Sequence, residues 1–170
     1  SRAARGGVGY AKAAGNYAAQ FYPTLIAKDE GFQQIIWTDS NNHNRVEEAG
    51  TMNLFFKIND TLITSPTSDS ILDGVTRKSI IDIANAENIP VEVRKFTVAE
   101  VIEASKSGRL KEMFGAGTAA VISPISSFGF RDQDYNLPEI EKSYASFLKE
   151  KITSIQTNSA EDPFGWRFKV

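Results

Sequence analysis

Lys12 is the residue of this chain whose surroundings point most clearly to chemistry. It lies within residues 9–17 (GYAKAAGNY), where most neighbours are too small to shield its amine. Glycine and alanine let a planar ligand approach the backbone closely, and a partly desolvated amine becomes a nucleophile able to form a Schiff base. The alternative is that Lys12 is one more solvated lysine. The motifs that follow decide between these interpretations.

Three later segments complete a pattern with the lysine segment: residues 47–55 (EEAGTMNLF), 71–77 (ILDGVTR) and 114–120 (FGAGTAA). Their order and spacing resemble the large, C-terminal domain of branched-chain amino acid aminotransferases, which are pyridoxal-phosphate enzymes of fold type IV. The resemblance extends from Gly6 to residues 164–166 (FGW). Each motif alone is weak, whereas four motifs in this order are specific.

The resemblance implies roles for Lys12 and Tyr17. Lys12 would form the internal aldimine with C4′ of pyridoxal phosphate, and its freed amine would then carry the proton between Cα and C4′. Tyr17 would hydrogen-bond the phenolic oxygen of the cofactor. Without the motif, a buried aromatic on a helix face is the simpler interpretation of Tyr17.

The resemblance assigns Glu48 to the pyridine nitrogen, where a carboxylate keeps the ring protonated and able to accept electrons. Side chains alternate along a strand, so Glu47 must point to the opposite face. We therefore interpret Glu47 as a solvated carboxylate. Thr51 would reach the same edge of the active site with its hydroxyl.

Residues 74–76 precede the clearest predicted helix, and a helix N-terminus suits an anion because its N–H groups are free. Taken alone, a glycine before a helix is a common structural feature and does not indicate phosphate binding. The resemblance makes Val75 and Thr76 ligands of the cofactor phosphate. Asp73 stands where many relatives have proline, and we expect it to turn away from the phosphate and cap the helix.

Residues 115–120 predict a glycine loop before a buried strand, which by itself is a simple turn. In relatives the threonine hydroxyl of this loop binds phosphate, and the threonine and alanine N–H groups bind the substrate carboxylate. Those positions are Thr118 and Ala119 here. Ala120 and Ser123 replace a redox-active cysteine pair of mammalian relatives, so thiol regulation is excluded.

The alternation of strands with helices predicts an α/β domain with a mixed sheet flanked by helices. The resemblance adds that part of the sheet closes into a barrel. Predicted strands cover residues 34–38, 45–48, 52–58, 61–64, 90–96 and 119–125. Predicted helices cover 18–28, kinked or restarted at Pro23, then 74–88, 97–106 with a capping box, and 138–156.

Composition narrows the class of protein. The 170 residues are 41% hydrophobic and 24% charged, as in one packed domain. The net charge of −2 with scattered cations argues against a nucleic-acid partner, and no apolar run approaches the roughly 20 residues that cross a membrane. The chain has no cysteine, and its one histidine, His43, lies in a predicted hairpin tip, which disfavours a metal site.

We expect ping-pong transfer of the amino group from leucine, isoleucine or valine to 2-oxoglutarate. The resemblance implies a cytoplasmic homodimer in which residues 1–170 form the cofactor domain after a smaller N-terminal domain. D-amino acid aminotransferase or aminodeoxychorismate lyase activity is an alternative, although residues 51–53 and 117–119 favour the branched-chain enzymes. A third alternative is a folded but inactive module, because relatives bind the phosphate with an arginine from outside this segment.

Overall fold

Two short helices follow the lysine segment in the computed structural model, which describes residues 1–169. They are α1 (Gly15–Ala18) and α2 (Phe21–Asp29). The predicted helix over residues 18–28 is thus broken, and Pro23 lies in the first turn of α2, where its missing N–H is tolerated. The Gln20 side chain at the break donates to Asn16 O at 3.1 Å and holds the two helices together.

A seven-stranded mixed sheet forms the centre of the fold. Its strands are β1 (Ile36–Thr38), β2 (Val46–Ala49), β3 (Asn53–Ile58), β4 (Thr61–Thr64), β5 (Val91–Val93), β6 (Leu110–Gly117) and β7 (Val121–Ile125). The order is β1-β2-β3-β4-β5, with β6 paired to β3 and then to β7. All pairs are antiparallel except β4 with β5. Three helices flank the sheet: α3 (Val75–Ala86), α4 (Val98–Lys106) and α5 (Tyr144–Gln156).

The sheet curls back towards its own edge beyond β5. Val46 N–H donates to Phe96 O at 3.1 Å, and Arg45 pairs with Thr97 in an isolated bridge. The start of β2 therefore contacts the segment that leaves β5. Within residues 1–169 no continuous ladder closes this curl, so the barrel expected from the resemblance is only partial.

Alternating side chains of β3 divide the core into two clusters, one on each face of the sheet. Leu54 and Phe56 pack towards α4, whereas Phe55 packs towards α3 and α5 and stacks on Phe114 with ring centroids 5.2 Å apart. Burial of each such phenylalanine contributes roughly 1.5–3 kcal/mol. Both faces of β3 are thereby fixed, and so is the turn before it, which reaches the candidate site.

Tertiary contacts account for the largest differences from the predicted elements. The helix predicted from residue 138 begins at Tyr144, because the buried Glu112 carboxylate accepts from the N–H groups of Tyr144 (2.9 Å) and Ala145 (3.1 Å). Strand β6 continues through residues 115–117, where the start of a glycine loop over residues 115–120 was expected. The hairpin of β8 (Ser127–Phe130) and β9 (Gln133–Asn136) was not predicted.

The helix α3 packs on the sheet through one face. Ile80, Ile83 and Ala84 are buried there, whereas Val75 at the start of the helix is 76% exposed. None of the helices within residues 1–169 combines the length and apolarity that crossing a bilayer requires.

Candidate active site

A cavity of about 220 Å³ opens where the lysine segment, the β2–β3 turn, the start of α3 and the end of β6 meet. Seven of the residues predicted for the site line it: Lys12, Tyr17, Glu48, Thr51, Val75, Thr76 and Thr118. Ala119 is not a lining residue, although it follows Thr118 in the same turn. The fold thus brings four separated motifs to one place.

The loop that carries Lys12 is fixed by its neighbours while the lysine side chain is exposed at the cavity. The Asn16 amide donates to Val8 O at 2.8 Å and to Ala11 O at 2.9 Å, on the N-terminal side of the lysine. Gly9 packs under another loop of the protein, since a Cβ there would lie 2.7 Å from Asp69 O. Gly9 therefore allows two loops to pack closely and does not itself open space beside Lys12.

Glu48 is the most buried acidic residue of the cavity, at 3% exposure. One oxygen lies 2.5 Å from Arg2 Nη2 and accepts from Leu72 N–H at 3.3 Å, and the other accepts from Asn53 Nδ2 at 3.1 Å. Burial raises the pKa of Glu48 to about 7, and the opposing attraction of Arg2 does not cancel it. This carboxyl group can therefore exist in either protonation state near neutral pH.

Glu47 faces the other side of β2, as the alternation of a strand predicts, and lines a second cavity of about 240 Å³. It is half-buried, and Oε1 accepts from Ser70 Oγ at 2.7 Å. Oε2 is buried without a hydrogen-bond partner in the described part of the chain. The interpretation of Glu47 as a solvated carboxylate is wrong, because one of its oxygens is buried, and this burial raises the pKa of the group.

Arg2 is a site residue that the sequence did not reveal. It is 5% exposed, and Nη2 donates to Gly9 O at 2.7 Å and Ser70 O at 2.9 Å in addition to its ion pair with Glu48. Arg2 therefore links the lysine segment to the acidic residue. Nothing in the run of residues 1–5 (SRAAR) distinguishes this arginine from an exposed one.

The N-terminus of α3 faces the cavity. Gly74 precedes the helix in an extended conformation, and no side chain of residues 1–169 caps it. The first backbone N–H groups of a helix have no partners within it, so those of α3 are available to an anion. The expected cap by Asp73 is wrong, because its carboxylate instead pairs with Lys78 Nζ at 2.5 Å while still lining the cavity.

The glycines of β6 are required by close packing. A Cβ on Gly115 would lie 2.7 Å from Met52 Sδ, and one on Gly117 would lie 3.2 Å from Thr51 O. The β2–β3 turn therefore rests directly on β6. This contact places Thr51 and Thr118 at the same cavity.

The arrangement supplies an amine, a phenol, a buried carboxylate and an uncapped helix N-terminus around one cavity. An amine can bind an aldehyde covalently, and a helix N-terminus can bind a phosphate. A carboxylate of raised pKa can exchange a proton with a basic ring nitrogen. These are the groups needed to hold a planar, phosphorylated, nitrogen-containing aldehyde.

Comparison with known proteins agrees with this architecture. The chain belongs to the family of class IV amino-transferases, whose characteristic sequence matches residues 4–128. It is 42% identical over 170 residues to branched-chain-amino-acid aminotransferase 2 of Bacillus subtilis (strain 168), covering 99% of this chain and 47% of that protein.

Solved structures show the same likeness. A branched-chain amino acid aminotransferase of Escherichia coli superposes with a TM-score of 0.81 at 28% identity, covering 97% of this chain and 51% of that chain. The corresponding T.th. enzyme, complexed with N-(5′-phosphopyridoxyl)-L-glutamate, gives a TM-score of 0.76 at 26% identity, covering 93% and 50%. The chain spans about half the length of the curated relatives it matches.

Proposed function

We propose that this chain supplies the cofactor site of a pyridoxal-phosphate-dependent aminotransferase that acts on branched-chain amino acids. The observation that carries the proposal is the convergence of Lys12, Glu48 and the α3 N-terminus on one cavity. The T.th. enzyme holds a phosphopyridoxyl derivative in one structure and pyridoxamine phosphate in another, which supports the same group here.

The residues present fit pyridoxal phosphate. Lys12 would hold its aldehyde carbon, Tyr17 would donate to its phenolic oxygen, and Glu48 would contact its ring nitrogen. The N–H groups of Val75 and Thr76 and the Thr118 hydroxyl would bind its phosphate, as an uncapped helix N-terminus favours. The bound cofactor supplies an electron-accepting ring that stabilises negative charge at the substrate Cα.

The chemical work of the chain itself is proton transfer and orientation. The Lys12 amine would remove and return the proton at the substrate Cα, which requires a base close to that atom. Glu48 would keep a proton on the ring nitrogen, because a carboxylate beside that nitrogen favours its protonated form. The Thr118 N–H and the Thr51 hydroxyl would orient the substrate carboxylate, whereas the same role for Ala119, which does not line the cavity, rests on the resemblance alone.

The names of the relatives support the substrate class. Relatives at 42% identity are branched-chain aminotransferases, which favours leucine, isoleucine and valine with 2-oxoglutarate over D-amino acids or lyase chemistry. We further propose a cytoplasmic homodimer with an additional smaller domain. Its support is the greater length of the relatives and the exposed apolar side chains of Phe21, Tyr22 and Leu25 on α2.

An amino-transfer assay with the full-length protein tests the proposal. L-leucine with 2-oxoglutarate should give turnover, D-alanine should give little, and Lys12→Ala should abolish the reaction. Lys28→Ala is the matched control, because Lys28 is an exposed lysine on α2 and should leave the rate unchanged. Turnover of D-alanine above that of L-leucine would contradict the substrate assignment.

A further inference from the structure

Asn53 occupies a point where three parts of the cavity meet. It is the first residue of β3, and its backbone pairs with Glu48 on β2 and with Ala116 on β6. Its side chain is 5% exposed. The two neighbouring strands therefore hold the Asn53 backbone in place, so the position of its side-chain amide is well defined.

Both hydrogens of the Asn53 amide are used, and they go to different segments. Nδ2 donates to Glu48 Oε2 at 3.1 Å and to Leu72 O at 2.9 Å. Leu72 N–H donates in turn to the other Glu48 oxygen at 3.3 Å, and Gly74 N–H donates to Leu72 O at 3.0 Å. These bonds form a closed ring of Glu48, Asn53 and Leu72, to which the start of α3 is attached.

The amide oxygen of Asn53 contacts the same helix start. A Cβ built on Gly74 would lie 2.2 Å from Asn53 Oδ1, so this oxygen lies directly against the Gly74 backbone. One side chain thus touches the residue that precedes α3 and also holds the Glu48 carboxylate. Serine has one donor and aspartate has none when ionised, so neither can replace both bonds.

We propose that Asn53 is a positioning residue that fixes Glu48 and the N-terminus of α3 relative to each other. The inference rests on the proposed function, in which Glu48 serves the ring nitrogen and α3 serves the phosphate. Asn53 acts through its hydrogen bonds to Glu48 and Leu72. A single amide then sets the spacing between the two ends of the cofactor site.

The test uses two probes that each report one end of the site: pyridoxal, which lacks the phosphate, and inorganic phosphate, which lacks the ring. Asn53→Leu removes both donors without adding charge. Each probe should bind about five- to tenfold more weakly, the effect of a hydrogen bond lost at each end. Asn85→Leu, at an exposed position on α3, is the matched control and should change neither affinity.

A weaker pyridoxal affinity with unchanged phosphate affinity would overturn the inference, because Asn53 would then act on Glu48 alone. Unchanged affinities for both probes in a folded variant would also overturn it. If Asn53→Leu does not fold, Asn53→Ser serves instead, since it keeps one donor. It should weaken at least one probe, and wild-type affinities for both would contradict the proposal.

A charge-conserving exchange separates positioning from a merely structural role. Asn53→Asp combined with Glu48→Gln restores a hydrogen bond between these positions but leaves Leu72 O without the second donor. Thermal stability should recover relative to Asn53→Asp alone, while phosphate affinity stays about fivefold low. Recovery of phosphate affinity together with stability would show a structural role only. If the wild-type protein binds neither pyridoxal nor phosphate, the proposed function is wrong, and the inference about Asn53, which rests on it, is wrong as well.

Discussion

At the N-terminus of α5, Glu112 accepts from Tyr144 N–H at 2.9 Å and from Ala145 N–H at 3.1 Å, and Ser143 Oγ accepts from Ser146 N–H at 3.1 Å. At the N-terminus of α3, Gly74 has no side chain to cap the helix, and Val75 is 76% exposed at the cavity. Side chains of the protein cap the start of α5, whereas the start of α3 has no side-chain cap within residues 1–169, and it is there that we propose a phosphate binds.

A buried glutamate accompanies each of these helix starts, and the two glutamates differ in their partners. Glu112 uses its oxygens on α5 and lies 3.4 Å from Lys57 Nζ. Glu48 accepts from Leu72, Asn53 and Arg2 and leaves the N–H groups of α3 free. One buried carboxylate therefore caps a helix, whereas the other lies beside a helix start that it does not cap, and it is to this second carboxylate that we assign a chemical role.

The largest expected effect is the difference in catalytic efficiency between two variants, in which one or the other of the adjacent glutamates of β2 is replaced by glutamine. In the full-length protein, Glu48→Gln should lower kcat/KM on the order of 10²–10³-fold, because one preorganised electrostatic contact to the reacting system is lost. Glu47→Gln, which faces the other cavity, should lower it less than about fivefold. Equal losses at both positions, measured by steady-state kinetics with leucine, would remove the distinction between Glu48 and a structural carboxylate.

Removal of the carboxylate that caps α5 should lower the stability of the fold. Glu112→Ala should lower the free energy of unfolding by about 3 kcal/mol, because two backbone N–H groups and the buried Lys57 lose their partner. Asp73→Ala at the start of α3 is the control. Its pair with Lys78 is exposed, so the change should stay below about 0.5 kcal/mol. Urea denaturation measures both, and a similar loss at the two helix starts would break the comparison.

The raised pKa of Glu48 predicts a pH dependence of stability. Below pH 4.5, the ordinary value for glutamate, both the folded and the unfolded chain hold the proton. Between pH 4.5 and about 7 only the folded chain holds it, so ionisation favours unfolding and stability falls as pH rises. The free energy of unfolding should decrease by about 1–3 kcal/mol across this window.

Glu48→Gln should remove most of that decrease, leaving the smaller contribution of Glu47, whose pKa burial also raises. Urea titrations at about pH 4.5, 6 and 7.5 span this window and provide the measurement. A wild-type stability that rises over this range, or an unchanged slope in the variant, would show that Glu48 is ionised throughout in the folded chain.

The smallest expected effect is the stabilisation of the fold by inorganic phosphate. At about 10 mM it should raise the free energy of unfolding by about 1 kcal/mol, as expected for a site with a dissociation constant of about 2 mM. Gly74→Ala should abolish this gain, because its Cβ would collide with Asn53 Oδ1. Gly15→Ala, where a Cβ meets open space, should retain it. An equal gain in all three proteins would show that phosphate acts elsewhere.

Local sequence signals predicted the parts of the fold that depend on neighbouring residues. The predicted N-cap of α4 is present, with Thr97 Oγ1 accepting from Glu100 N–H at 3.1 Å, but the Glu100 carboxylate pairs with Arg94 and does not complete the expected capping box. Strand β4 has the predicted bounds, and the opposite faces of Glu47 and Glu48 follow from strand alternation. Of the site residues that the motifs predicted, all except Ala119 line the cavity.

Contacts between distant residues account for what the sequence did not reveal. Glu112 sets the start of α5 from 32 residues away, and no local pattern in residues 138–143 reports that. Arg2 reaches Ser70 across 68 residues, and the Asn53 amide reaches Leu72 across 19. Such side chains satisfy buried polar groups, so their importance is visible only when their targets are known.

The central claim is that Lys12 is the lysine that binds pyridoxal phosphate. Incubation of the protein with pyridoxal phosphate, reduction with borohydride and peptide mapping test it directly. We expect a pyridoxyl label on Lys12, and loss of the induced visible absorption in Lys12→Ala. A label carried mainly by Lys28, Lys57 or another lysine would show that Lys12 is not the residue that binds the cofactor.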